Sequence, residues 1–317
     1  MCFDHLLVNG EANIELGKRR FAESMMFLIA LIWGGSFVAV KGALDGVSAF
    51  LFLFLRFFLA TAIFLTIFHS RLTGLKKETI KQGFVLGVLL CVGYAFQTLG
   101  LEFTTASKSG FITGLLVVFT PIFQWGIERR IPKLGNIVGV ILVSIGLWFL
   151  TAPGEAEFTI GDGLTLVCAI FFALYIVYLD MVGKGHDAYQ LTFVQLAATT
   201  ALSLVGVIIS ADLAVSLNVG FLAGLAYTGI LATVVTTLLQ TRYQTDTSPT
   251  RAAVIFTLEP IFAAIIAYLV LTEVIGVTGI LGGALIVCGL ILSQLADLLD
   301  SAIGLRFSSR GAGKDEV

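Results

Sequence analysis

Ten runs of about 20 mostly apolar residues fill nearly all of this 317-residue chain. They cover 24–44, 48–69, 79–101, 106–128, 132–152, 160–182, 189–211, 219–241, 248–271 and 277–299. A helix rising about 1.5 Å per residue needs about 20 such residues to cross the hydrocarbon core of a bilayer. Strands of a membrane barrel would alternate apolar and polar positions over about ten residues. Runs such as Val85-Leu86-Gly87-Val88-Leu89-Leu90 do not alternate, so the expected fold is an all-α polytopic membrane protein with ten transmembrane helices. A charged fraction of 13%, against about 25% in soluble domains, excludes an ordinary water-soluble globule. Abundant Gly beside only 5 Pro excludes collagen and low-complexity disorder as well.

Loops between successive spans fall alternately on two sides of the membrane. One side holds sixteen of the 19 Lys and Arg, beginning with Lys18, Arg19 and Arg20. The other holds only Lys41 and Lys108, and Arg56 lies inside the second span. A missed or extra span would scramble this segregation. Positive-inside bias therefore predicts a multi-pass protein of the bacterial inner (plasma) membrane with both termini cytoplasmic. The leader, 1–23, carries Asp4, Glu11 and Glu15 and has no apolar core before its basic cluster, so a cleaved signal peptide is not expected. No loop is long enough for a folded extramembrane domain.

Several chemistries drop out on composition. The 19 Lys and Arg nearly balance 21 Asp and Glu, and no basic patch accompanies the aromatic residues, so nucleic acid is not an expected partner. Cys91, Cys168 and Cys288 lie in apolar runs and Cys2 in the leader, with no metal-ligand spacing. His5, His69 and His186 fall outside the span cores, and the spans offer no carboxylate pair. No catalytic residue, metal site or cofactor is expected, and an intramembrane enzyme has no nucleophile with a base to build on.

The two halves resemble each other. Pro121-Ile122-Phe123 recurs as Pro260-Ile261-Phe262, 139 residues on, and Ala30 to Phe37 lies over Ala169 to Ile176 at the same spacing. Gly83 and Gly87 reappear as Gly220 and Gly224, and Gly135 and Gly139 as Gly279 and Gly283. The expected organisation is a leader at 1–23, a first repeat at 24–152, an outer connector at 153–159, a second repeat at 160–299 and a cytoplasmic tail at 300–317. Five spans per repeat is an odd number, so the second repeat enters the bilayer inverted relative to the first. Inverted repeats meeting at the midplane characterise secondary transporters.

Ala30-Leu31-Ile32-Trp33-Gly34-Gly35-Ser36-Phe37, the run Thr-Ala-Ser-Lys-Ser-Gly-Phe at 105–111, and Leu258-Glu259-Pro260-Ile261-Phe262 carry a family likeness. With five plus five spans, they resemble the drug/metabolite transporter superfamily in its EamA-type branch, over roughly residues 24–299. Many members carry a Gly-Glu pair after spans 4 and 9, where this chain has Ile127-Glu128 and Thr272-Glu273. The resemblance implies ten helices around a central cavity lined mainly by spans 1, 3, 4, 6, 8 and 9. It implies export or exchange of small organic metabolites, such as amino acids, related compounds or drugs. A partner or sensor subunit that transports nothing is the alternative from another class.

Two charges lie deep in the spans. Arg56 in span 2 must face protein or water, either as an anion site or gate or as a pin to a neighbouring helix; the matching residue is Gln195. Glu259 in span 9 precedes Pro260, which lacks an amide hydrogen and frees the carbonyl of Phe256, so a kink is expected there and at Pro121. A carboxylate at that depth suits proton coupling or recognition of a substrate amine; its alternative is a structural Glu paired with Arg56 or a freed carbonyl. Its first-half equivalent is Thr120. Trp33 and Ser36 on span 1, Tyr94 and Gln97 on span 3, Thr113 on span 4, Tyr175 and Tyr178 on span 6, and Tyr227 and Thr233 on span 8 are also in the apolar zone. Singly each suits helix packing; as a set they suit an aromatic-walled binding cavity. The expected partners are a small-molecule substrate, the lipid bilayer and protons as a candidate coupling ion.

Overall fold

The computed structural model describes residues 2–129, 134–151 and 159–271, then 277–278, 280–289 and 291–292. Among the described residues the chain is helical, apart from turns and one isolated bridge between Val47 and Val215. Span 1 is two helices, α1 (Cys2–Gly34) and α2 (Ser36–Leu44), and the leader forms the start of α1. Span 2 is α3 (Ala49–Phe68) and span 3 is α4 (Lys77–Phe103). Span 4 divides into α5 (Ala106–Gly114) and α6 (Leu116–Glu128), and α7 (Leu134–Thr151) follows. In the second half, α8 (Ile160–Gly183) and α9 (Ala188–Ser210) are continuous. Span 8 runs as α10 (Val219–Ala226), a π-helical stretch (Tyr227–Val235) and α11 (Thr236–Tyr243). Span 9 is α12 (Pro249–Phe256) and α13 (Glu259–Leu271).

Seven helical segments among the described residues are long and apolar enough to cross a membrane, and they answer to expected spans 1–4 and 6–8. The fifth is the shorter apolar part of α7, Ile137–Phe149. The ninth falls short as a single rod because it breaks at Thr257 and Leu258. The tenth lies partly outside the described residues, which include Ile280–Gly289 of it.

Local chemistry sets where the helices start. Thr159 and Asp162 form a reciprocal capping box at α8, Asp187 accepts from the amides of Tyr189 and Gln190 at α9, and Ser248 caps α12 just before Pro249. Each satisfies amides that a helix N-terminus leaves free. Glycine sets how closely the helices lie. A Cβ on Gly83 would fall 2.6 Å from Val194 Cβ, and one on Gly87 2.6 Å from Ala198 Cβ, so α4 and α9 touch through small residues. Large apolar side chains such as Ile208, Ile209, Trp148 and Leu269 point outward, the reverse of a soluble protein and the arrangement that lipid stabilises.

The repeat is also visible in contacts between the halves. The hydroxyls of Thr61 on α3 and Thr200 on α9 lie 2.9 Å apart and are 139 residues apart in sequence. The helices α3 and α9 pack together around this pair, and α4 packs on α8 and α9 beside them.

Candidate functional site

Three interruptions converge on one cavity, and the residue pairs that flank them line it. Trp33 and Ser36 bracket the break at Gly34-Gly35, Thr113 and Leu116 bracket Leu115, and Phe256 and Glu259 bracket Thr257-Leu258. A broken helix leaves backbone groups without partners, which inside a membrane must be satisfied by protein. At the first break the Tyr227 hydroxyl donates to the Ile32 carbonyl at 2.6 Å. Glycine is required on the α1 side of it, because a Cβ on Gly34 would lie 2.5 Å from Phe262 Cβ and 3.0 Å from the Ala263 backbone nitrogen. At the third break the Thr257 hydroxyl donates to the Val254 carbonyl at 2.5 Å.

The cavity is narrow in this structure, with about 30 Å³ of room for water-sized occupants. Its walls are aromatic. Trp33 and Phe256 have ring centres 5.1 Å apart, Tyr94 and Phe172 4.9 Å, and Tyr175 completes the set. Ser36, Gln97, Thr113, Thr237 and Gln240 add hydrogen-bonding groups, with Gln97 donating to Thr113 at 3.3 Å. Among the described residues Glu259 is the single acidic one in the lining. It is 8% exposed, faces the cavity, and among the described residues no side chain or backbone group hydrogen-bonds its carboxylate. It is the first residue of α13, where the positive end of the helix dipole favours a negative charge.

Seven of the ten residues expected at the cavity line it: Trp33, Ser36, Tyr94, Gln97, Thr113, Tyr175 and Glu259. Tyr178, Tyr227 and Thr233 do not. Tyr178 is three residues past Tyr175 along α8 and donates to Gln82 on α4. Tyr227 is spent on the break in span 1, as above. Thr233 is turned away by the π-helical stretch, in which the amide of Thr236 reaches back to the Leu231 carbonyl. Hydrogen bonds of that span widen each turn and rotate the following residues around the axis. Thr237 and Gln240 face the cavity instead, and the Thr233 hydroxyl accepts from Arg56.

Arg56 stands outside the cavity lining and is 2% exposed. Its Nε donates to Thr233 Oγ1 at 2.8 Å and its Nη2 to the Ala232 carbonyl at 3.1 Å. Its guanidinium carbon lies 4.4 Å from the centre of the Tyr94 ring. Among the described residues it makes no ion pair, so a pairing with Glu259 is not formed. The proline expectation also shifts. Pro260 stands second in α13, where a missing amide costs nothing, while Pro121 lies inside α6 and the break falls upstream at Leu115.

A model of the EamA-like transporter family matches residues 20–152 and again 159–295. An uncharacterized transporter of Archaeoglobus fulgidus is 36% identical over 288 residues, covering 91% of this chain and 90% of that protein. The uncharacterized transporter YoaV of Bacillus subtilis is 25% identical, covering 84% of this chain and 94% of its own. A crystal structure of a protein shares the fold with a TM-score of 0.76 at 16% identity, over 89% of this chain and 99% of that one.

Proposed function

This chain belongs to the EamA-like transporter family, and from that premise we propose that it is a secondary transporter exporting or exchanging small organic metabolites by alternating access. The cavity at the helix breaks is the substrate site, and substrates carrying an amine suit it best. The observation that carries the reading is the Glu259 carboxylate, held inside an aromatic cavity without a partner. A buried carboxylate needs a counter-charge or a proton. An ammonium group or a proton each meets that need, and only one can do so at a time. Competition between them couples substrate movement to proton movement in the opposite direction. Trp33, Tyr94, Phe172, Tyr175 and Phe256 supply faces for the apolar body of the substrate, and the rings other than Tyr94 supply cation–π contact. The two inverted five-span repeats rock about the contact between α3 and α9, and the basic loops keep both termini on the cytoplasmic side of the plasma membrane.

The deciding experiment is efflux and counterflow from liposomes containing the purified protein, across a panel of amines, amino acids and neutral and anionic metabolites, with and without a pH gradient. Saturable flux of amine-bearing solutes that responds to the gradient is expected. Flux confined to anions, or no solute flux at all, overturns the reading, and the latter leaves the sensor or partner subunit.

A further inference from the structure

Two tyrosines stand in the cavity wall, and each is backed by a polar side chain from a span that contributes nothing to the lining. Behind Tyr94 is Arg56 on α3, at 4.4 Å. Behind Tyr175 is Gln195 on α9, which accepts the tyrosine hydroxyl at 2.9 Å and donates to Thr241 at 2.8 Å. Positions 56 and 195 are 139 residues apart, the same separation as the Thr61 and Thr200 contact between these two helices.

Arg56 reaches further than Gln195. Both its hydrogen bonds go to the π-helical stretch, one of them to the carbonyl of Ala232. That same carbonyl accepts from Trp33 Nε1 at 3.3 Å. Trp33 and Tyr94 are therefore tied to a single junction: one through the shared acceptor, the other through the face of its ring. A cation buried with only neutral acceptors and a ring for company is expensive, and plain packing would not need one.

We propose that Arg56 is a positioning residue of the cavity, fixing Trp33 and Tyr94 through Ala232 and the Tyr94 ring without touching the substrate. The inference rests on the cavity being the substrate site. A guanidinium against the back of the Tyr94 ring withdraws the negative potential of that ring from the cavity. Substrate cations are then directed to Glu259 rather than to Tyr94, so Arg56 shapes which solutes bind as well as how the walls stand.

The test uses the full-length protein with Trp125 and Trp148, each 60% exposed, replaced by Phe so that Trp33 is the sole indole reporter. Phenethylamine serves as the probe, its ammonium for Glu259 and its ring for the walls. Arg56→Met should shift the ligand-free Trp33 emission, increase its quenching by acrylamide and weaken phenethylamine binding about tenfold. Arg56→Lys should restore most of the emission, since an ammonium can still donate to the Ala232 carbonyl. Glu259→Gln should abolish probe binding while leaving the ligand-free emission unaltered. Unchanged emission and quenching in Arg56→Met overturn the proposal whatever the probe does. A shifted emission in a protein whose parent does not bind phenethylamine supports the positioning role and counts against the cavity reading. Should Arg56→Met fail to fold, Thr233→Val removes one anchor of the guanidinium: a smaller shift in the same direction supports the proposal, and none overturns it.

Discussion

Arg251 on α12, 2% exposed, meets the Glu23 carboxylate on α1 at 2.5 Å. The pair belongs to a polar layer that adjoins the cavity through Gln240. In that layer Thr250 donates to Gln124 at 2.7 Å, and Gln240 donates to Gln244, which donates to the Ile176 carbonyl, both at 2.8 Å. The rings of Phe21 and Tyr243 pack edge to face beside them. Spans 1, 4, 6, 8 and 9 thus all join in this layer.

Glu23→Gln should loosen that layer and, where the layer closes the cavity, open it. Removing one member of a buried pair costs about 3–5 kcal/mol, and the 15% exposure of Glu23 reduces this to about 2 kcal/mol. The expected result is a lower melting midpoint together with faster labelling of a cysteine at position 240 by a reagent supplied from the side of the termini. An unaltered midpoint and labelling rate would deny the pair any part in closing the cavity.

Glu259→Gln should insert normally and lose amine transport, along with any response of flux to a pH gradient. The neutral amide fits the same space but holds neither an ammonium nor an exchangeable proton. Liposome efflux with and without the gradient checks this, and flux equal to wild type would remove the carboxylate from the mechanism.

Gln195→Leu should leave the Tyr175 hydroxyl buried without its acceptor, at a cost of about 1–3 kcal/mol. Binding of phenethylamine should weaken, while Gln195→Glu, which still accepts the hydroxyl, should bind more tightly than the leucine variant. Equal affinities in the two would sever Gln195 from the cavity wall.

Gly87→Val should fold poorly or not at all. The first carbon alone would lie 2.6 Å from Ala198 Cβ and 2.8 Å from the Gln195 carbonyl, and neither backbone can retreat without parting α4 from α9. Overpacking of this kind costs about 1–3 kcal/mol or more. Gly283→Val, where no atom of the described residues stands within 4 Å of an added Cβ, is the control that should fold as wild type.

Much of this was readable from residue types and their spacing, and the exceptions share a cause. Trp33, Ser36, Tyr94, Gln97, Thr113, Tyr175 and Glu259 stood out because polar or amphipathic groups deep in apolar runs need an inward-facing reason. Phe172, Ile176 and Phe256 carry no such signal, since an apolar wall and an apolar core look alike in a sequence. Thr237 and Gln240 were missed for a different reason. Regular helical geometry carried forward from Thr233 cannot anticipate a π-helical turn, which depends on what presses on the helix from outside. The split of span 9 was signalled by Pro260, whereas the break at Leu115 precedes Pro121 by six residues and has no proline of its own.

Two copies of one sequence facing opposite ways would make the state open to one side and the state open to the other equal in energy. Here Arg56 answers to Gln195 and Glu259 to Thr120, so the duplication is mismatched at its charged positions. Under the alternating access proposed above, each mismatch would tilt the balance between the two states. On that proposal, the side on which an empty carrier waits is set by those few unequal pairs.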